Sequence, residues 1–408
     1  MKILIGTHNI AGWLENYKIG FEKMGHTVTT IVHKKDDFYN FKPDYNLKEK
    51  YKRYDTSKSD SFFLWIICHV IRRFLNKIVN QKLDNFVKNL IDDHDILILL
   101  WHPLLSNSME LQYARLKKKK IVSIFVGSDA RYFHAFRQEF NVEHWSFPKI
   151  CHNDTPEYHL SLIRHAEKYS NLIYSVPDQA GLQLRPYNHL QVPLIIDKYK
   201  FRFPNREVPV VLHAPSIPYK KGTDVIEKTL TDLMQNGIKF EFISLRNLSN
   251  QDVIEHLINA DVLIDEIIGH GPGTLSFEGM LTGCAVATRY IETSPTVFRP
   301  PVWSINADNI YEKLKRLLTD TPLRKQLAED GRAYALANNS SEHVVSGILR
   351  DLASLRQPDY YPTFLREQFQ PSTSSELQTI NEWTNFVKEC DWYQQTVPSG
   401  ERAGLIFY

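Results

Sequence analysis

An α/β fold with two parallel-sheet domains facing a cleft is what this sequence predicts, and three observations predict it. The chain has 408 residues, beyond the roughly 250–300 at which a single core stops growing. Short, continuously apolar stretches alternate with helix-length stretches, the pattern of parallel strands buried on both faces. That alternation runs once, breaks at a segment rich in proline and charge over 197–209, and starts again. We expect a first domain over 1–197, a second over 198–358, and a tail over 359–408 that either packs back on the first domain or stands apart.

The first cycle opens with Lys2 to Ile5, an apolar strand closed by Gly6 and followed by the turn Thr7 to Gly12. Leu14 to Met24 has helical spacing, Gly25-His26 stops it, and the β-branched run Thr27 to Val32 completes one βαβ unit. Further strands are expected at 95–101 and 120–126, joined by a crossover helix over 109–119. The second cycle begins at Pro209 to His213. A helix over 224–235 opens on Asp224 and Glu227, spaced as a capping box, and ends at Gly237. Strands at 240–245 and 261–264 lead to the loop Gly269-His270-Gly271-Pro272-Gly273-Thr274, a helix over 276–282, the turn at Gly283 and a strand over 284–288. Two doubly wound, Rossmann-like units fit this order, and such sheets bind ligands beyond the carboxyl ends of their strands. The tail carries one expected helix, over 375–390.

Composition narrows the function classes. Hydrophobic residues make up 43% and charged residues 24%, a globular balance. Net charge is +2, from 49 Lys plus Arg against 47 Asp plus Glu, so no global field points to nucleic acid as partner. The four cysteines, Cys68, Cys151, Cys284 and Cys390, have neither C-x-x-C nor His-Cys spacing, which fits a reducing compartment and offers no metal framework. The start reads as a buried strand and not as a leader, so a cytoplasmic location is expected. The apolar run Phe62 to Ile71 ends at Arg72-Arg73, about half of what a bilayer crossing needs. With the basic residues around it, the 47–90 region reads either as a peripheral contact with the inner face of a membrane or a lipid-linked acceptor, or as an ordinary amphipathic helix pair covering the sheet.

Two stretches carry chemistry. In the glycine loop the backbone can approach a ligand closely, and the free N–H groups at the start of the next helix suit a diphosphate. Glu278, read as lying in the first turn of that helix, suits the two ribose hydroxyls of a nucleotide; alternatively the loop is only a turn and Glu278 only a first-turn charge. In His213 to Thr223, Lys221-Gly222 precedes a helix, where a mobile ammonium reaches phosphates from the side opposite the glycine loop, or is simply solvated.

In order, His213-Ala214-Pro215-Ser216, Lys221-Gly222-Thr223, Ala260 to Asp265, the glycine loop, Phe277 to Val286 and Leu317 to Arg324 resemble the C-terminal half of retaining GT-B glycosyltransferases with an E-x7-E motif. The resemblance implies that Glu278 is the second glutamate of that motif and the ribose ligand. It implies that Lys221 neutralises the leaving diphosphate, and that Gly273, Thr274, Leu275 and Ser276 hold the phosphates and donor sugar. His270 stands where the family has its first glutamate, and Ser216 where it has an arginine. In the first half, Gly12 lies in the loop matching the family's donor-facing glycine loop, and Asp129 occupies the post-strand position of a His-Asp pair near the transferred sugar. His8, His102 and Arg131 fall at strand ends on the acceptor side, with Arg131 also able to pair with Asp129.

The activity implied is transfer of a sugar from a nucleotide-diphosphate sugar to a glycan or lipid-linked acceptor, in polysaccharide or glycoconjugate biosynthesis. It would proceed with retention, without cofactor, metal or catalytic nucleophile, and Asp129, Lys221 and His270 are the catalytic candidates. No Asp-x-Asp motif of the metal-dependent glycosyltransferase type appears, which favours a metal-free site. The alternatives are an epimerase or hydrolase of the same fold, and a non-catalytic sugar-nucleotide-binding subunit. A nicotinamide oxidoreductase is disfavoured, because Gly271-Pro272-Gly273 puts proline in the turn and lacks the third glycine.

Overall fold

A computed structural model describes residues 1–34, 39, 41–54, 62–101, 103–105, 107–127, 129–131, 157–269, 271–293, 297–354, 358–362, 370–371 and 373–390. His102, His270 and Cys151 lie outside the described residues.

The first half runs β1 (Lys2–Thr7), α1 (Trp13–Lys23), β2 (Thr27–Val32), β3 (Tyr45–Asn46), α2 (Leu47–Lys50), α3 (Phe62–Asp93), β4 (Ile96–Leu100), α4 (Met109–Leu116), β5 (Lys120–Ile124), α5 (Glu157–Tyr169), β6 (Leu172–Ser175) and β7 (Asn188–His189). Its seven strands form one sheet in the order β3-β2-β1-β4-β5-β6-β7, every neighbouring pair parallel. Successive β1 side chains point to opposite faces, and both faces are covered. Ile3 and Ile5 pack with Leu14, Tyr17 and Phe21 of α1. Leu4 packs with Val87, Leu90 and Ile91 of α3. A strand covered on both faces needs apolar residues at every position, which is why β1 and β4 read as unbroken apolar runs.

The second half runs β8 (Val210–His213), α6 (Pro218–Lys221), α7 (Thr223–Gln235), β9 (Glu241–Ser244), α8 (Asn250–Asn259), β10 (Val262–Ile264), α9 (Thr274–Thr282), β11 (Ala285–Thr288), β12 (Trp303–Ser304), α10 (Ile310–Thr319), α11 (Thr321–Asn338), α12 (Ser341–Ala353) and α13 (Ser374–Glu389). Its five strands form a second parallel sheet, β12-β11-β10-β8-β9. Leu212 and Leu263 face α8 and α9, while Val211, Val262 and Ile264 face α7 and α10. The capping box expected at Asp224 and Glu227 does not form. Gly222, left-handed at φ 74°, caps α7 without a side-chain bond, and Glu227 instead accepts hydrogen bonds from Ser244 and Arg246.

Two crossings tie the halves together. Just before the linker, in a segment that Asn16 holds by donating to the Pro193 carbonyl over 2.8 Å, Leu194 N–H donates to the Asn339 carbonyl over 2.7 Å. After α11 the chain returns to the first sheet, where α12 lies against α1. Gly20 makes that approach possible, since a Cβ there would stand 2.8 Å from the Ser341 carbonyl oxygen. The Tyr174 hydroxyl donates to Asp351 over 2.9 Å, and Lys23 pairs with Glu342 at the rim. The described residues of the tail, whose place the sequence leaves open, pack against the first half. Tyr360 bridges to Tyr187, Asp359 accepts from His189 N–H, and Trp383 of α13 sits beside Arg164.

Candidate functional site

The loops that follow β8, β9 and β10 and the start of α9 line a cavity of about 700 Å³, within the roughly 300–1,000 Å³ of small-molecule sites. Ala214, Pro215, Ser216, Lys221, residues 245–250, Asp265, Thr274, Leu275 and Glu278 form one wall, and Ala11 and Tyr39 face them from the first half. The cavity is thus bounded by the carboxyl ends of strands from both sheets.

Its charge is organised around Asp265, buried at the end of β10. One carboxylate oxygen accepts from Lys221 Nζ over 2.9 Å. The other accepts from the Ser276 hydroxyl over 2.7 Å. Glu266 approaches the same ammonium to 3.2 Å. Burial works to lower the Lys221 pKa, but the two carboxylates outweigh it and hold the value above the ordinary one. Burial likewise raises Glu266, against the pull of Lys221, so Glu266 is the member of the trio most ready to carry a proton. His213, fully buried, is a brace: its Nδ1 faces the Ile264 carbonyl and its Nε2 the Thr223 hydroxyl, at 2.8 and 2.9 Å.

Glu278 differs from its sequence reading in one respect. The helix begins at Thr274 with Gly273 as cap, so Glu278 is its fifth residue and not a first-turn charge. What holds it is side-chain contact. The Tyr199 hydroxyl and the Asn250 amide both donate to Oε1, over 3.1 and 3.2 Å. Oε2 takes no hydrogen bond from the described residues, and Glu278 lines the cavity. Burial pushes the Glu278 carboxyl up to about 7, against those two hydrogen bonds.

Of the 273–276 segment, Ser276 N–H is spent on the Gly273 carbonyl and the Ser276 hydroxyl on Asp265. The donors at the mouth of α9 are therefore the N–H groups of Thr274 and Leu275, with the positive end of the helix behind them. Thr274 also accepts from Trp13 Nε1 over 3.0 Å, a direct contact between the halves. Ser216 is exposed on the rim.

The opposite wall holds its charges differently. Asp129 is buried, and its carboxylate accepts from the N–H groups of Val126 and Gly127, the latter over 2.6 Å. It organises its own loop and does not bond Arg131. Arg131 instead pairs with Asp178 at 3.3 Å and donates to its carbonyl. Gly12, left-handed at φ 75°, caps α1 against Tyr39; Ala11, and not Gly12, lines the cavity. His8 is half-buried beside His33, ring centroids 5.6 Å apart. Burial, and then the charge of His33, lowers its pKa. A smaller space of about 220 Å³ behind the glycine loop is walled by Trp13, Phe277, Tyr290, Phe298 and Tyr334, with Asp178 and His189 among its polar residues. Among the described residues no group of three or more His, Cys, Asp or Glu is arranged to hold a metal ion.

No protein-family profile and no curated protein matches this sequence. Solved structures do match its shape over nearly their whole length. A sucrose-phosphate synthase from Thermosynechococcus elongatus superimposes with a TM-score of 0.54 at 11% identity, covering 86% of this chain and 99% of the other. A trehalose-6-phosphate synthase, studied for glycosyl transfer with retention, gives 0.52 at 10% identity over 86% and 98%. The Anabaena protein HepE, solved with UDP-glucose, gives 0.50 at 13% identity over 86% and 99%. These are GT-B glycosyltransferases. The chain has the GT-B fold.

Within that GT-B cleft, several residues that shape the site had no sequence signal strong enough to single them out. Tyr199 stands in the linker and Asn250 at the start of α8, and only the fold brings them to Glu278. Asp265 follows directly on the apolar strand expected at 261–264, where doubly wound sheets bind ligands, but nothing in the sequence singled it out as a site residue. Glu266, its neighbour, was not singled out either.

Proposed function

We propose that this chain is a glycosyltransferase that takes a nucleotide-diphosphate sugar in the cavity beside α9 and passes the sugar, with retention and without a metal, to a glycan or lipid-linked acceptor. One observation carries the reading. Glu278 has both of its protein donors on Oε1, so Oε2 is free to accept the ribose hydroxyls, and the Thr274 and Leu275 N–H groups and Lys221 bound the same cavity where a diphosphate would follow. The UDP-glucose in the Anabaena structure supports uridine diphosphate as the first nucleotide to try.

As the diphosphate leaves, negative charge builds on its terminal oxygens. Lys221 and the two N–H groups, already fixed by Asp265 and by the helix, stabilise that charge more than the charge of the intact donor. The Lys221 ammonium is shared with Asp265 and Glu266, so its field at the phosphates is strongest when Glu266 holds a proton. No group needs to attack the sugar from the protein side in this scheme.

The test is a thermal-shift screen of the full chain against UDP, GDP, ADP, CMP and their sugar conjugates, followed by nucleotide release from the conjugate that shifts most. One diphosphate nucleotide should raise the melting temperature, and its conjugate should be turned over once an acceptor is supplied. Turnover equally fast without acceptor would mark a hydrolase or epimerase. Binding without turnover under any acceptor would mark a non-catalytic subunit.

A further inference from the structure

Helix α3 is much longer than the sheet requires. Its 32 residues extend about 48 Å at 1.5 Å per residue, yet among the described residues its buried apolar side chains are Val87, Leu90 and Ile91, near its end. Among the described residues of α3 before Val87, none is buried. Ile66, Val70, Phe74 and Ile78 recur every four residues, and Val70 and Phe74 are 62% and 64% exposed, with Ile71 exposed beside them. Four residues turn a helix about 40° past a full circle. The four side chains therefore form one apolar strip whose centre lies about 100° around the helix from Val87 and Ile91.

Beside the anchored end, α2 and α3 enclose a groove of about 1100 Å³ whose charged lining is Lys34, Lys48, Lys52 and Arg53 against Glu49 and Asp84. Among the described residues none of these four cations forms an ion pair. Arg73, Lys77 and Lys82 add exposed positive charge along α3 itself. An apolar strip bordered by cations suits one surface above others, the headgroup boundary of an anionic bilayer, where the strip enters the acyl edge and the cations meet phosphate. A second copy packed strip to strip would instead bring like charges together. No helix among the described residues is long and apolar enough to cross a membrane, so the contact is one of lying on the surface.

We propose that α3 and the neighbouring groove dock this chain on an anionic lipid bilayer. His33 lines the groove, and its ring neighbours His8. From there the chain runs to Ala11 on the wall of the nucleotide cavity. If the proposed transfer is right, this geometry delivers a phosphate-bearing lipid headgroup to the donor; the docking itself does not depend on that reading.

The test is flotation of the full chain with vesicles of neutral phosphatidylcholine, and with vesicles containing roughly 30% phosphatidylglycerol. Wild type should float with the anionic vesicles and not with the neutral ones, and salt should release it. Val70→Asp with Phe74→Asp, both at exposed positions, should abolish flotation. Lys48→Glu with Lys52→Glu should weaken it about tenfold or more and leave the UDP-induced thermal shift unchanged. Wild type that stays unbound, or an Asp pair that floats as well as wild type, overturns the proposal. So does an Asp pair whose only effect is to turn a dimer into a monomer on gel filtration. Flotation with no nucleotide shift would leave the docking standing and sink the transferase reading instead.

Discussion

The two walls of the cleft carry similar residues and use them differently. On the first-sheet side, Asp129 spends its carboxylate on the backbone of its own loop, and Arg131 is closed off by Asp178. On the second-sheet side, Asp265 and Glu266 hold Lys221 at the edge of a cavity, and Glu278 lines that cavity with Oε2 taking no hydrogen bond from the described residues. A charge at a strand end becomes a functional group only when its partners leave a donor or acceptor pointing outward. In the proposed site the first wall would supply rigidity and shape, and the second recognition.

Substitutions that hit one wall and spare the other sharpen this contrast. Arg131→Ala leaves Asp178 buried without its partner and should cost about 3–5 kcal/mol of stability, read by urea unfolding, with UDP affinity unchanged. An equal loss of UDP binding would give the first wall a ligand contact it lacks in our account. Lys221→Ala should slow nucleotide release from the donor by about 10²–10³-fold; a change in binding alone would remove Lys221 from the transition state.

Weaker effects probe how Glu278 and Lys221 are set. Tyr199→Phe removes one of two hydrogen bonds to Oε1, worth roughly 0.5–1.5 kcal/mol. It should weaken UDP binding several-fold and move the pH at which Glu278 ionises upward. A purely structural tyrosine would change stability and leave that pH profile in place. Glu266→Gln should tighten UDP modestly, because it takes a competing carboxylate from Lys221; weaker binding in calorimetry would mean that Glu266 itself touches the ligand.

Much of the fold was legible because two-sided burial favours apolar residues along β1, β4, β5 and β10, with few exceptions such as the buried Thr7 and Ser123. The short edge strands β3 and β7 lack that constraint and left no such run. α3 was legible as apolar, but not as a projection, since the sequence does not state where the sheet ends beneath it. In the site, Glu278, Lys221 and the glycine loop could be named from type and spacing. The first-turn reading of Glu278 failed because the helix starts two residues earlier than the apolar pattern suggested, and its true supports, Tyr199 and Asn250, lie 79 and 28 residues away.

Glu278 gives the most direct test. Its folded pKa of about 7 lies above the ordinary 4.5, so the native state binds the extra proton. Its burial costs nothing below about pH 4.5 and destabilises the fold as pH rises toward and through 7. The ionised form is the better acceptor for ribose hydroxyls, so UDP affinity should rise over the same interval. The measurement is melting temperature between pH 6 and 8, with and without UDP, for wild type and Glu278→Gln. At about 100 times its dissociation constant UDP should stabilise wild type by about 2.7 kcal/mol, with tighter binding at pH 8 than at pH 6. Glu278→Gln should be the more stable protein without ligand at pH 8 and show no UDP shift. The same UDP shift in both proteins at every pH would contradict the assignment of Glu278 as the ribose ligand, and with it the placement of the donor.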